Sequence, residues 1–239
     1  MPSKSWVYPI DFSFDRKRKW NYKPLGEINF EFTVKDEQNN TTELKILEPS
    51  MAMNTLGVTL APDGNNAKAI VELRQKSQKW KDLVDTGHLK GSDVFLALHS
   101  TIYKSLQYPL PALTLTGKEC RWIASPMLSA GLSGSRINRN FPRDVLFGPI
   151  FDGGVGMWNL YDYQCISHIS FLTEHINEDN ISGELIRCSI EAALVEVGIG
   201  RNLFKLDFNL YQALLTDCWI KHIWKYAYDN SIIIKENLT

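Results

Sequence analysis

The stretch MNTLGVTLAPDGNNAKAIVELRQKSQKW, residues 53–80, sets the plan of this chain. Its first half is apolar and β-branched, as a strand is, and Gly57 inside that run marks a bulge or a close approach by another backbone. Pro62-Asp63-Gly64-Asn65 then ends the strand, because Pro presets φ and Gly64 accepts a positive φ. Beyond the turn, Ile70, Leu73, Ser77, Trp80 and Val84 recur at spacings of three and four and make one stripe of a helix. Lys68, Glu72, Gln75 and Lys79 fall on the opposite, solvated side. Strand gives way to helix at this point, and the rest of the chain divides the same way.

Upstream, SWVYPIDFSF, INFEFTV and TELKIL cluster or alternate β-branched and aromatic residues between polar turns such as DEQNNT. Downstream, Gly87 stops the first helix, and Ser92 is placed to cap a second one through DVFLALHSTIYKSLQY, closed by Pro109 and Pro111. TGKECRWIASPML follows with Thr116 and Glu119 at capping-box spacing. A region rich in Gly, Pro, Ser and Arg, about 125–158, reads as an irregular loop, and helical patterns return over 160–176, 182–197 and 207–229. The last pattern is apolar or aromatic around most of its circumference, so it packs on two sides. The expected class is α+β: a small antiparallel β portion over 1–62, then a mainly helical region over 63–239.

The chain has 239 residues, 44% of them hydrophobic and 22% charged, with a formal net charge of −1. That composition is ordinary for a globular protein, and the balance of charge confines any nucleic-acid reading to local patches. Cys120, Cys165, Cys188 and Cys218 form no C-x-x-C pair and suit reduced thiols better than a disulfide framework. The opening MPSKSWVYPIDFSFDRKRKW holds no apolar core of signal-peptide length, and no run approaches the roughly 20 apolar residues of a membrane helix. The expected setting is intracellular, cytoplasm or nucleus, with no membrane partner.

Several patterns invite chemistry and resolve into plainer readings. FDGGVGMWNL offers Gly153, Gly154 and Gly156, but the position where the dinucleotide fingerprint needs its last glycine is Asn159, and no βα alternation surrounds it. Asn159 reads as the N-cap of the helix that follows. Cys165 with His168, and Cys218 with His222, each share a helical face, yet both pairs lie inside long helices, where cysteine is a common core residue. No G-x-S-x-G, H-E-x-x-H or adjacent Asp-Asp pair is present, so no autonomous active site is read.

Basic residues carry more. SGSRINRNFPRDV places Arg136, Arg139 and Arg143 in the irregular region, where guanidinium groups pair bidentately with phosphate. Lys76 and Lys81 flank the apolar stripe of the first helix. Arg16-Lys17-Arg18-Lys19, beside Phe14, Trp20 and Tyr22, reads either as a strand-binding patch or as a solvated turn that protects a β edge.

In order, LGVTLAPDGN, TIYKSLQYPLPALTLTGKEC, FPRDVLFGPIFDGGVGMWNLYDYQ and TDCWIKHIWKY resemble the reverse-transcriptase-like proteins of non-LTR-type retrotransposons, over the region after the polymerase palm. Leu56-Gly57-Val58, Asp63-Gly64, the Gly153–Gly156 element and Asn159-Leu160 match its motifs, and the likeness spans nearly the whole chain. It implies the end of a palm followed by a thumb, with Gly57 and Gly64 shaping the hinge between them. It also implies that the catalytic aspartates, and the Mg2+ they hold, belong to a palm upstream, so no cofactor is assigned to this chain. The implied partners are that palm and RNA or an RNA–DNA or DNA duplex, gripped by Arg136, Arg139 and Arg143 with help from Lys76 and Lys81. The contrasting expectation is a helical protein-interaction module with no nucleic-acid role, in which Trp219, Ile223 and Trp224 meet a partner.

Overall fold

The computed structural model describes residues 5–16, 20–28, 33–35, 41–42, 44–200 and 202–234. The class is α+β, and the chain divides into two compact units, 1–71 and 72–239. Strand pairs occupy the first unit and helices fill the second.

In the first unit, β1 (Trp6–Val7) pairs with β6 (Lys45–Ile46) in parallel, a departure from the purely antiparallel expectation. Three pairs are antiparallel: β2 (Phe12–Phe14) with β3 (Trp20–Tyr22), β4 (Val34–Lys35) with β5 (Thr41–Thr42), and β7 (Met53–Thr55) with β8 (Val58–Leu60). Most of INFEFTV and Lys17 to Lys19 lie outside the described residues.

The pair β7–β8 corrects the reading of residues 53–61 as one strand. Thr55 faces Val58 across a two-residue loop, and both loop residues have positive φ, 52° at Leu56 and 84° at Gly57. This is the loop geometry that follows the twist of a hairpin. Gly57 is therefore a turn residue, and Asn54 Oδ1 accepts from its N–H at 3.2 Å. The Pro62 turn forms as expected, with Gly64 N–H donating to Ala61 O at 3.0 Å. Asp63 Oδ1 then accepts from Asn65 N and Asn65 Oδ1 from Ala67 N, at 2.9 and 2.8 Å, which leads the backbone into α1 (Ala67–Thr86).

The helical unit is organised by α4 (Gly117–Gly134), capped by the expected Thr116–Glu119 box. Helix α4 runs through residues expected to be irregular, because the carbonyl stranded by Pro126 finds other donors. Pro126 has no N–H for Trp122 O. Arg74 Nη1 and Ser125 Oγ donate to that oxygen instead, the latter at 3.1 Å. Met127 N–H donates to Ser77 Oγ at 3.2 Å, and the Arg74 guanidinium lies 4.8 Å from the centre of the Trp122 ring. This explains the serine within the α1 stripe: Ser77 is fully buried as a docking acceptor, beside buried Leu73.

The second helix starts at Lys90, not Ser92, whose hydroxyl reaches Asp93 Oδ1 at 3.3 Å. It runs as α2 (Gly91–Ala97), a π-helical stretch (Leu98–Tyr103) and α3 (Lys104–Gln107). After α4 come the short α5 (Arg143–Phe147) and α6 (Leu160–His175). Gln164 of α6 is fully buried and clamps Leu115, accepting from its N–H at 3.0 Å and donating to its carbonyl at 2.9 Å.

The remaining helices are α7 (Ile181–Val197), α8 (Phe208–Tyr211) and α9 (Trp219–Asp229). The single helix expected over 207–229 is thus split. Asp207 caps α8, Leu215 plugs the core, and Thr216 N–H donates to Glu196 Oε2 at 2.7 Å, which takes the chain off a helical path. Helix α9 does pack on several sides, against α6, α7 and α8. Ile223 and Trp224 are buried in the chain's own core, and Trp219 packs partly buried against it, so the first two present no surface to a partner.

Candidate functional site

The arginines of the loop meet a cleft that the sequence did not disclose. Helix α4 ends in a left-handed turn at Arg136, φ 62°, with Ile137 N–H bonded to Leu132 O at 2.8 Å. This six-to-one closure turns the chain sharply at the helix end. Asn138 Oδ1 accepts from Asn140 N at 2.8 Å, and Pro142 then starts α5, with Arg143 in its first turn. Arg143 Nη2 donates to Arg139 O at 3.3 Å, which ties the two arginine segments together.

The glycine element closes the other side. From Pro149 the chain doubles back along α5: Val155 N–H donates to Val145 O, Gly156 N–H to Gly148 O and Met157 N–H to Leu146 O, at 2.9, 2.9 and 3.1 Å. Gly154 lies so close to Gly148 that a Cβ there would stand 2.8 Å from Gly148 Cα and nearer still to its carbonyl. The motif is therefore a backbone dock, which two side-chain-free residues make possible. Gly153 and Gly156, at φ 83° and 71°, turn the chain at its two ends. Met157 is buried, Trp158 emerges half exposed, and Asn159 caps α6 as expected, accepting from Tyr161 N at 2.9 Å.

The result is a cleft of about 530 Å³ in the helical unit. Arg121 from α4, Arg139, Arg143 and Trp158 are on its walls, and Asp144 is the one carboxylate among its lining residues. None of the three arginines forms an ion pair with a described residue. Tyr103, 3% exposed, also lines it, and its buried hydroxyl has no hydrogen-bond partner among the described residues. Burial pushes the Tyr103 phenol above its ordinary range, against the opposing charge of Arg143. Cys120 lines the same space and has its thiol pushed up to about 12 by burial. It does not offer a thiolate.

Of the residues expected to bind nucleic acid, Arg139 and Arg143 come together. Arg136 is exposed but is not among the lining residues, because it serves as the left-handed helix terminus. Lys76 is exposed on α1, and Lys81 pairs with Asp85 one turn on. Gly57 and Gly64 shape turns of the first unit. Arg121, Trp158 and Tyr103 were missed by motif reading. The one available signal was Trp158 itself, a large aromatic set between the glycine element and a helix cap, where packing alone would not keep it half exposed.

Among the described residues no group of three or more His, Cys, Asp and Glu side chains is placed to hold a metal ion. Cys165 and His168 are buried, while His222 Nε2 approaches Asp217 Oδ1 at 3.3 Å. No helix among the described residues is long and apolar enough to cross a membrane. No family model, curated protein or solved structure matches this chain.

Proposed function

We propose that this chain is the palm-end and thumb portion of a retroelement RNA-directed DNA polymerase, and that its helical unit grips nucleic acid through the arginine cleft. The supporting observation is the convergence of Arg121, Arg139 and Arg143, from three places in the sequence, on one cleft with no protein carboxylate paired to any of them. Free guanidinium groups beside an aromatic ring are suited to phosphates and bases together. The ordered sequence elements support the polymerase lineage. In this reading nucleotidyl transfer and its Mg2+ belong to an upstream palm, the chain alone is not catalytic, and its setting is cytoplasm or nucleus.

The test is binding of labelled RNA and RNA–DNA hybrid, by fluorescence anisotropy across a salt series. Changing Arg121, Arg139 and Arg143 together to Ala should weaken binding. If all three contact phosphates of a single strand, the slope of log K against log salt should flatten by about 2. Arg136→Ala, outside the cleft lining, is the control and should change little. Equal affinity and slope in the triple variant would remove the cleft from the account.

A further inference from the structure

The cleft is sized and furnished for something narrower than a duplex. Its volume of about 530 Å³ lies in the range of sites that enclose one small ligand. A duplex, whose major groove alone is about 12 Å wide, presents a far larger body. A single unpaired nucleotide matches the available space.

The lining residues match the same ligand. Trp158 is 50% exposed, and an edge-to-face contact with Tyr163, centroids 5.7 Å apart at 87°, fixes its indole. An oriented, half-exposed aromatic ring next to guanidinium groups is the arrangement by which single strands are held, with base on ring and phosphate on arginine. In a duplex the bases are stacked on one another and cannot use that ring.

Tyr103 adds an independent indication. Its hydroxyl is buried without a partner among the described residues, a state that proteins generally avoid. It stands at the end of the π-helical stretch Leu98–Tyr103, a geometry rare in proteins and concentrated at functional sites. A ligand bearing hydrogen-bond acceptors and donors in the cleft would supply what the hydroxyl lacks.

We infer that the cleft holds one unpaired nucleotide of a single strand: phosphate on Arg121, Arg139 and Arg143, base on Trp158, and a polar ligand atom on the Tyr103 hydroxyl. The inference rests on the nucleic-acid reading above and narrows its substrate from duplex to single strand.

The experiment compares a 5′-labelled single-stranded RNA with the matching RNA–DNA hybrid on the full chain, by anisotropy. The single strand should bind at least tenfold more tightly. Trp158→Ala should weaken the single strand by about 5- to 150-fold, the range for loss of one stacked base. Trp158→Tyr should restore most of that, and neither variant should move the weaker hybrid affinity. Tyr103→Phe should weaken the single strand several-fold. Nucleoside monophosphate should displace the strand at least tenfold better than inorganic phosphate.

Equal or tighter hybrid binding would overturn the inference and leave the phosphate grip standing, and so would single-strand affinity indifferent to Trp158→Ala. The strand-to-hybrid ratio of the unmodified chain needs no variant, so the inference stays open to refutation even if Trp158→Ala fails to fold. Absence of binding to either probe would overturn the nucleic-acid reading itself.

Discussion

Replacing Gly154 by Ala tests whether the glycine element is a dock. The new Cβ would fall within 3.0 Å of the Gly148 carbonyl oxygen, carbonyl carbon and Cα, all backbone atoms with no rotamer to give way. The segment must therefore lift off α5, and the bonds of Gly154, Val155, Gly156 and Met157 to Pro149, Val145, Gly148 and Leu146 lengthen together. At about 1 kcal/mol net for each backbone bond, with partial recovery through water, the loss is about 3 kcal/mol. Gly153→Ala is the internal comparison. Nothing lies within 4 Å of a Cβ there, so only the left-handed φ of 83° is penalised, at about 1 kcal/mol. Urea unfolding followed by far-UV circular dichroism gives both values. Because the dock sets Trp158 opposite Arg143, Gly154→Ala should also weaken RNA binding, and Gly153→Ala much less. A stability loss for Gly154→Ala no larger than that for Gly153→Ala would refute the dock.

Other consequences follow from the packing. Arg74→Ala should destabilise the helical unit by about 2 kcal/mol in the same assay, since Trp122 O keeps only the Ser125 hydroxyl and the ring loses its cation. Burial holds the His168 imidazole below its ordinary pKa, with His222 adding to the effect and the carbonyls of Pro111 and Leu113 opposing it. The unfolded chain then binds the proton more readily, so this stability is full above about pH 6.5 and falls as pH drops toward the lower folded-state value. Unfolding free energy measured from pH 7 to 5 should decline, and less steeply in His168→Phe. Among the thiols, exposed Cys188 should react at once with a thiol-directed chromophore. Cys120 and Cys165, buried and pushed up to about 12, should react only on unfolding.

What could be read from sequence was what the backbone decides locally. The Thr116–Glu119 box and the Asn159 cap are satisfied within three residues of themselves, so their signatures suffice. The strand call over residues 53–61 failed because apolar composition cannot distinguish one strand from two joined at Leu56-Gly57, where φ alone makes the difference. Pro126 signalled an end to regular structure, yet the helix continues because Arg74 and Ser77 lie opposite, on a helix distant in sequence.

The cleft escaped sequence reading for the same reason. Arg121 belongs to one helix, Arg143 to another, and Trp158 to the strand-like return between them; only the Gly148–Gly154 contact brings the last two to facing walls. The glycines that suggested a phosphate loop do serve a phosphate site in this proposal, but indirectly. They carry no ligand contact of their own. By letting two backbones touch, they set an aromatic ring across from the guanidinium groups, and a substitution that separates those backbones should loosen the fold and the grip together.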